Sequence, residues 1–299
     1  MADALAILVN GCLGLGLALL FAGFLHKGRA SHVLRGAGWL SFGAYWPFQA
    51  GHYFEINDPV NAWFTILGPG ILVYFAWHER MSWKWQEDPP ALRWLAGTTF
   101  VAASVYFAFL VFPALAAAAI RLTAIQTVWM LKGLFRLDAE TAPDLDGVDT
   151  HILLITPTGV QDYAVTIILA CTAIQSMMIF GGAIGTVEAS TRRKWLAALA
   201  TIPAIHVLNI FRNAGIVFGY KILDWSMFGI ESFEWMHSYV GKFGSLAALV
   251  VLALVLFRIL PELHGNILDV FDLPKRKGPG FYRPPGEKAQ APPPDTPAA

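Results

Sequence analysis

Charge is what this chain is short of. Asp, Glu, Lys and Arg make up 14% of its 299 residues, against about 25% in an ordinary soluble domain. With 56% hydrophobic residues, a soluble fold has too little polar surface to cover itself. The shortage favours neither sign: Lys plus Arg and Asp plus Glu stand at 21 each, which leaves no overall charge for binding nucleic acid or an acidic partner. Cysteine is scarcer still. Cys12 and Cys171 are the two in the chain, each inside an apolar stretch, so a disulfide framework is excluded. Internal repeats and phosphate-binding glycine loops are missing too. No Lys or Arg precedes the first apolar run and no small-residue cleavage site stands ahead of His26-Lys27-Gly28-Arg29. That run is expected to be a retained helix and not a cleaved signal peptide.

What is present is a succession of apolar windows, near 4–25, 36–53, 61–77, 92–118, 164–187, 195–220 and 237–260. Each is near the length of about 20 residues that a helix needs to cross a bilayer. The pattern predicts an all-α, polytopic transmembrane helix bundle of about seven spans, placed in the plasma membrane. Every second break is basic: Lys27, Arg29 and Arg35, then Arg80, Lys84 and Arg93, then Arg192, Arg193 and Lys194, then Arg258 with Lys275, Arg276 and Lys277. The positive-inside rule then predicts an N-terminus outside and a C-terminus in the cytoplasm. Residues 1–270 form the membrane domain in this reading. Its extracytoplasmic connection, 119–163, is expected to hold an interfacial helix, an acidic turn and a short strand-like run. Residues 271–299, Pro-rich and polar, are expected to be a disordered cytoplasmic tail.

Polar groups inside such windows are costly and need a reason. The fifth window holds Ala170-Cys171-Thr172-Ala173-Ile174-Gln175-Ser176, in which Thr172, Gln175 and Ser176 have the spacing of one helix face beside the thiol. A lone membrane cysteine is more often a small buried hydrophobe than a nucleophile. The sixth window ends in His206-Val207-Leu208-Asn209-Ile210-Phe211-Arg212-Asn213. Asn209 and Arg212 share a face there, which snorkelling of the arginine to headgroups does not require and a polar pocket does. The seventh opens with His237, which by itself fits an interfacial aromatic belt. The expected topology brings Cys171, Arg212 and His237 to the outer membrane surface together. Chemically the three suit acyl transfer: a thiolate nucleophile, an imidazole that takes and returns its proton, and a guanidinium that stabilises the oxyanion.

At these residues the sequence resembles the archaeosortase/exosortase family, most closely its archaeosortase A group. The family pattern is matched by Ala170-Cys171-Thr172, by Asn209-Ile210-Phe211-Arg212 and by His237. Phe211-Arg212-Asn213, Ser232-Phe233 and Leu260-Pro261-Glu262-Leu263 carry the likeness to the archaeal group. The resemblance is strong over about residues 160–270 and mainly hydropathic before that. One departure is that the archaeal group usually has an arginine where this chain has His237. The resemblance implies a membrane cysteine transpeptidase with Cys171, Arg212 and His237 as catalytic residues. Asn209, Asn213, Thr172, Gln175 and Ser176 would bind substrate or support the catalytic groups. No metal and no cofactor is expected. Its partners would be secreted or cell-surface proteins that end in a short motif, a transmembrane helix and a basic tail, with a membrane lipid as acceptor. The alternative reading is a small transporter or channel with Arg212 and His237 lining the path. A third, a metal or haem protein using His206, His237 and Cys171, needs both histidines at one depth, yet His206 lies roughly 9 Å of helix rise from Arg212.

Overall fold

A computed structural model describes residues 2–55 and 59–279; most of the expected tail, 280–299, lies outside the described residues. The architecture is an all-α membrane fold with one small sheet, and its chain packs as two units.

The first unit takes in the described residues up to Arg93 and those from Leu268 on. Its helices are α1 (Ala2–Leu25), α2 (Arg29–Tyr45), α3 (Ala50–Glu55) and α4 (Pro59–Trp85). Helices α1 and α2 meet closely because Gly16 has no side chain: a Cβ there would sit 2.5 Å from the Phe42 nitrogen. Between α2 and α4 lies a buried ion pair. Arg35 donates from Nε to Glu79 at 2.7 Å and from Nη2 to Asp88 at 2.8 Å, and its Nη1 reaches the Gly23 carbonyl. His32 Nδ1 lies 2.8 Å from Glu79. Arg35 and Glu79 are wholly buried, so each charge is matched where an unmatched one would be prohibitive.

The second unit spans Trp94–Ile267. After α5 (Pro90–Val111) comes α6 (Pro113–Gly133). Pro113 occupies the first turn of α6, where its missing N–H costs nothing, and this splits the apolar window at 92–118 in two. The helix expected from about residue 119 is the second half of α6, which starts at Pro113 and is long and apolar enough to cross a membrane. Its polar groups are absorbed within the helix or by α8. Thr123 and Thr127 each donate at 2.8 Å to the carbonyl four residues back, and Gln126 bonds His206 at 2.7 Å.

Next comes an antiparallel sheet in the order β1 (Ala139–Pro143), β2 (Asp149–Ile155), β3 (Gln161–Thr166). Alternation along β2 buries Thr150, Ile152 and Leu154, and Ile152 and Leu154 pack with Ala124, Val128 and Leu131 of α6 into one core. The expected acidic turn and strand-like run are thus part of a full three-stranded sheet. The window at 164–187 is not one long helix either: it holds the end of β3, a 3₁₀ turn at Leu169–Thr172 and the 13-residue α7 (Ile174–Thr186). Then follow α8 (Thr191–Lys221), the short α9 (Ser232–Glu234), a π-helical turn at Trp235–Val240, α10 (Gly241–Ile259) and α11 (Pro261–Asp272).

Five helical stretches among the described residues are long and apolar enough to span a membrane, namely α1, α5, α6, α8 and the stretch from α9 through α10. Four of the seven windows become such stretches. Of the others, the window at 36–53 breaks at Pro47 between α2 and α3, and α4 carries Glu79, Arg80 and Lys84 near its end. The front of the expected tail is structured: α11 runs to Asp272, and buried Arg276 bonds Ser82 at 2.9 Å and Glu87 at 2.8 Å.

Candidate active site

Cys171 stands on the 3₁₀ turn that links the sheet to α7, and its neighbours explain how the turn is held. Its amide closes the turn on the Ile168 carbonyl at 2.8 Å, and Thr172 is buried with its hydroxyl donating to the Leu169 carbonyl. Ala173 then takes a left-handed conformation (φ 61°) before α7 begins, a geometry that a non-glycine residue holds at a cost and that gathers at functional sites. The side chain of Cys171 packs partly on the core formed by α6, the sheet and α8.

Helix α8 supplies the clamp. Asn209 and Asn213, one turn apart, both donate to the Cys171 carbonyl, at 2.7 and 3.0 Å. Between them in sequence, Arg212 bonds the Asn213 side-chain oxygen at 3.4 Å and interacts electrostatically with Cys171. The shared face of Asn209 and Arg212 read from the sequence is realised, with the asparagines holding the cysteine turn and the arginine beside it.

His237 comes from the π-helical turn, a feature that recurs at functional sites. Its ring stacks on Phe233 with centroids 5.4 Å apart and interacts electrostatically with Arg212, Lys242 and Glu234. Among the described residues neither the Cys171 thiol nor the His237 ring forms a hydrogen bond. Arg212 is thus the group that both share. Helix α10 comes close here because Gly241 has no side chain: a Cβ would lie 3.3 Å from Arg212 Nε and 3.1 Å from the Met236 carbonyl.

A cavity of about 590 Å³ opens beside these groups. Gln175, Ser176, Asn209, Arg212 and Lys242 make its polar wall, and Leu208, Leu249 and Leu252 belong to its apolar part. Cys171, Thr172, Asn213 and His237 are not among its lining residues; the cavity reaches the cysteine turn through Leu169, Ala170 and Ala173 and the π turn through Met236 and Val240. The other end of α8 carries Arg192, Arg193 and Lys194; Arg192 lies about 30 Å of helix rise from Arg212, close to the hydrocarbon thickness. Near that end Arg193 Nη1 pairs with Glu262 at 3.0 Å and holds its carboxyl below the usual carboxylate range.

Sequence reasoning missed the sheet, the strained Ala173, the part played by Gly241 and the π turn. The glycine was visible as a small residue one helical turn after His237, whereas the strain and the π turn leave no pattern in composition or periodicity.

The fold defines the class, a multi-pass helical membrane protein. Within it, residues 145–255 match the family model of transmembrane exosortases (Exosortase_EpsH), a stretch that contains the cysteine turn, the asparagine–arginine face and His237. The match supports membership of the exosortase family and, with it, a membrane transpeptidase. No curated protein and no solved structure gives a significant match.

Proposed function

We propose that the chain is a cysteine transpeptidase that cleaves the C-terminal sorting signal of secreted surface proteins and passes the new C-terminus to an acceptor, a membrane lipid in the archaeosortase A manner. The observation that carries this reading is the double clamp on Cys171: two asparagines of α8 fix the thiol-bearing turn against Arg212.

In the proposed reaction the Cys171 thiolate attacks the scissile carbonyl carbon. The oxyanion that develops is met by the Arg212 guanidinium, which keeps its charge where water is scarce. As the C–N bond breaks, His237 gives its proton to the leaving amine and a thioester remains on Cys171. The acceptor hydroxyl or amine then attacks the thioester carbonyl, loses its proton to His237 and frees the thiolate. Gln175 and Ser176 face the cavity and are suited to hydrogen-bonding the substrate backbone, while the apolar wall suits the start of the substrate's membrane segment. The basic cluster at the far end of α8 supports a site on the extracytoplasmic side with the C-terminus in the cytoplasm and the N-terminus outside.

The test is a secreted reporter ending in motif, apolar helix and basic tail. Cys171→Ala abolishes its processing while the enzyme still accumulates in the membrane; processing at the normal rate refutes the reading. A membrane-impermeant thiol reagent labels Cys171 on intact cells in a Cys12→Ala background, and labelling that requires lysis refutes the outward site.

A further inference from the structure

A second cavity, of about 480 Å³, lies in the first unit between α2 and α4, away from every residue assigned above. Its wall is apolar: Val33, Gly36 and Leu40 from α2, Val73 and Ala76 from α4. The two helices run antiparallel, so the N-terminal end of α2 meets the C-terminal end of α4, and there the lining changes to His32, Arg80 and Trp83. Arg29 adds a second cation, with its guanidinium 4.8 Å from the Trp83 ring centre.

These cations differ from the one next to them. Arg35 is wholly buried and its charge is met by Glu79 and Asp88. Arg80 is exposed and, among the described residues, makes no hydrogen bond or ion pair. Among the described residues no carboxylate lines the groove; Glu79 and Asp88 at this end are engaged by Arg35, and Glu87 by Arg276. From Leu40 to His32 the groove follows α2 for about 12 Å, which is close to one leaflet of a hydrocarbon core about 30 Å thick. A partner's transmembrane helix needs a groove through both leaflets. A hydrocarbon chain with an anionic head needs one leaflet and a cation at its edge, with Trp77 and Trp83 at the headgroup level where indole rings settle.

We propose that this groove is a binding site for one anionic phospholipid, an acyl chain lying on Gly36, Leu40, Val73 and Ala76 and the phosphate held by Arg80 and Arg29. The site does not depend on the transpeptidase reading, since its occupant is bound and not transformed.

The test is native mass spectrometry of the purified full-length protein released from vesicles of equal phosphatidylglycerol and phosphatidylcholine. The expected spectrum carries one retained phosphatidylglycerol and little phosphatidylcholine. Arg80→Ala lowers that adduct by about fivefold and the Arg29→Ala, Arg80→Ala pair by more, following the usual gain per basic residue at an anionic surface. Arg192→Ala, an exposed arginine elsewhere, leaves it unchanged. Gly36→Leu fills the groove and removes the adduct; should that variant fail to fold, the exposed Arg80 variant still decides. Equal retention of the two lipids overturns the proposal, as does an Arg80→Ala adduct at the wild-type level. So does a dimer that Gly36→Leu abolishes, which puts a second chain in the groove.

Discussion

Removing the two asparagine side chains that hold the Cys171 turn should cost more together than the separate losses predict. A carbonyl oxygen has two lone pairs, and at Cys171 both are engaged, by Asn209 at 2.7 Å and Asn213 at 3.0 Å. Asn209→Ala or Asn213→Ala leaves one partner in place, and the loss is that of a single hydrogen bond, about 1 kcal/mol. Expressed as a barrier this is about a fivefold slower reaction. The double variant leaves the carbonyl of a half-buried turn without a partner, at about 2–3 kcal/mol, or about 30- to 150-fold in rate. Asn213→Ala should be the worse of the singles, because its side-chain oxygen also accepts from Arg212. Reporter processing gives the rates, and alkylation of Cys171 in a Cys12→Ala background shows whether the thiol has moved. A double variant no slower than either single refutes the clamp. So does Asn209→Asp at the wild-type rate, since a carboxylate cannot donate to a carbonyl.

Gly241→Ala places a methyl group 3.0 Å from Ile216 and 3.3 Å from Arg212 Nε; it is expected to cost about 1–3 kcal/mol of overpacking and to slow processing. Gly244→Ala, with nothing within 4 Å of its new atom, should be near neutral, and equal effects on processing rate contradict the close approach. Arg35→Met takes the guanidinium from the wholly buried Glu79 carboxylate and leaves it His32; it is expected to destabilise by about 3–5 kcal/mol, read as a fall in the thermal midpoint of the detergent-solubilised protein. Glu262, its carboxyl held low by Arg193, contributes stability that is present above the ordinary carboxylate pKa of about 4.3 and is lost as pH falls through its lower folded value. Glu262→Gln should therefore lower the thermal midpoint at neutral pH and have no effect at the acid end of the range; a pH-independent difference contradicts the ion pair. Arg212→Lys should process poorly, because an ammonium lacks the planar fork; full activity would assign Arg212 a simple charge role.

Apolar windows and their basic breaks belong to the sequence, because the bilayer imposes length and composition on any helix that crosses it. The same holds for the pairing of Asn209 with Arg212, which helical spacing alone puts on one face. Other features depended on partners far along the chain. Gln126 in the second half of α6 is satisfied by His206 of α8, eighty residues on, a pairing that no local pattern announces. Whether Cys171 sits within a helix or on a turn ahead of one was decided by the sheet packed on α6 and by two amides from α8. A period of 3.6 residues says which side chains share a face. It says nothing of where a short strand ends, of a left-handed residue such as Ala173, or of how closely α10 approaches α8, since these are settled by packing between elements that local sequence does not encode.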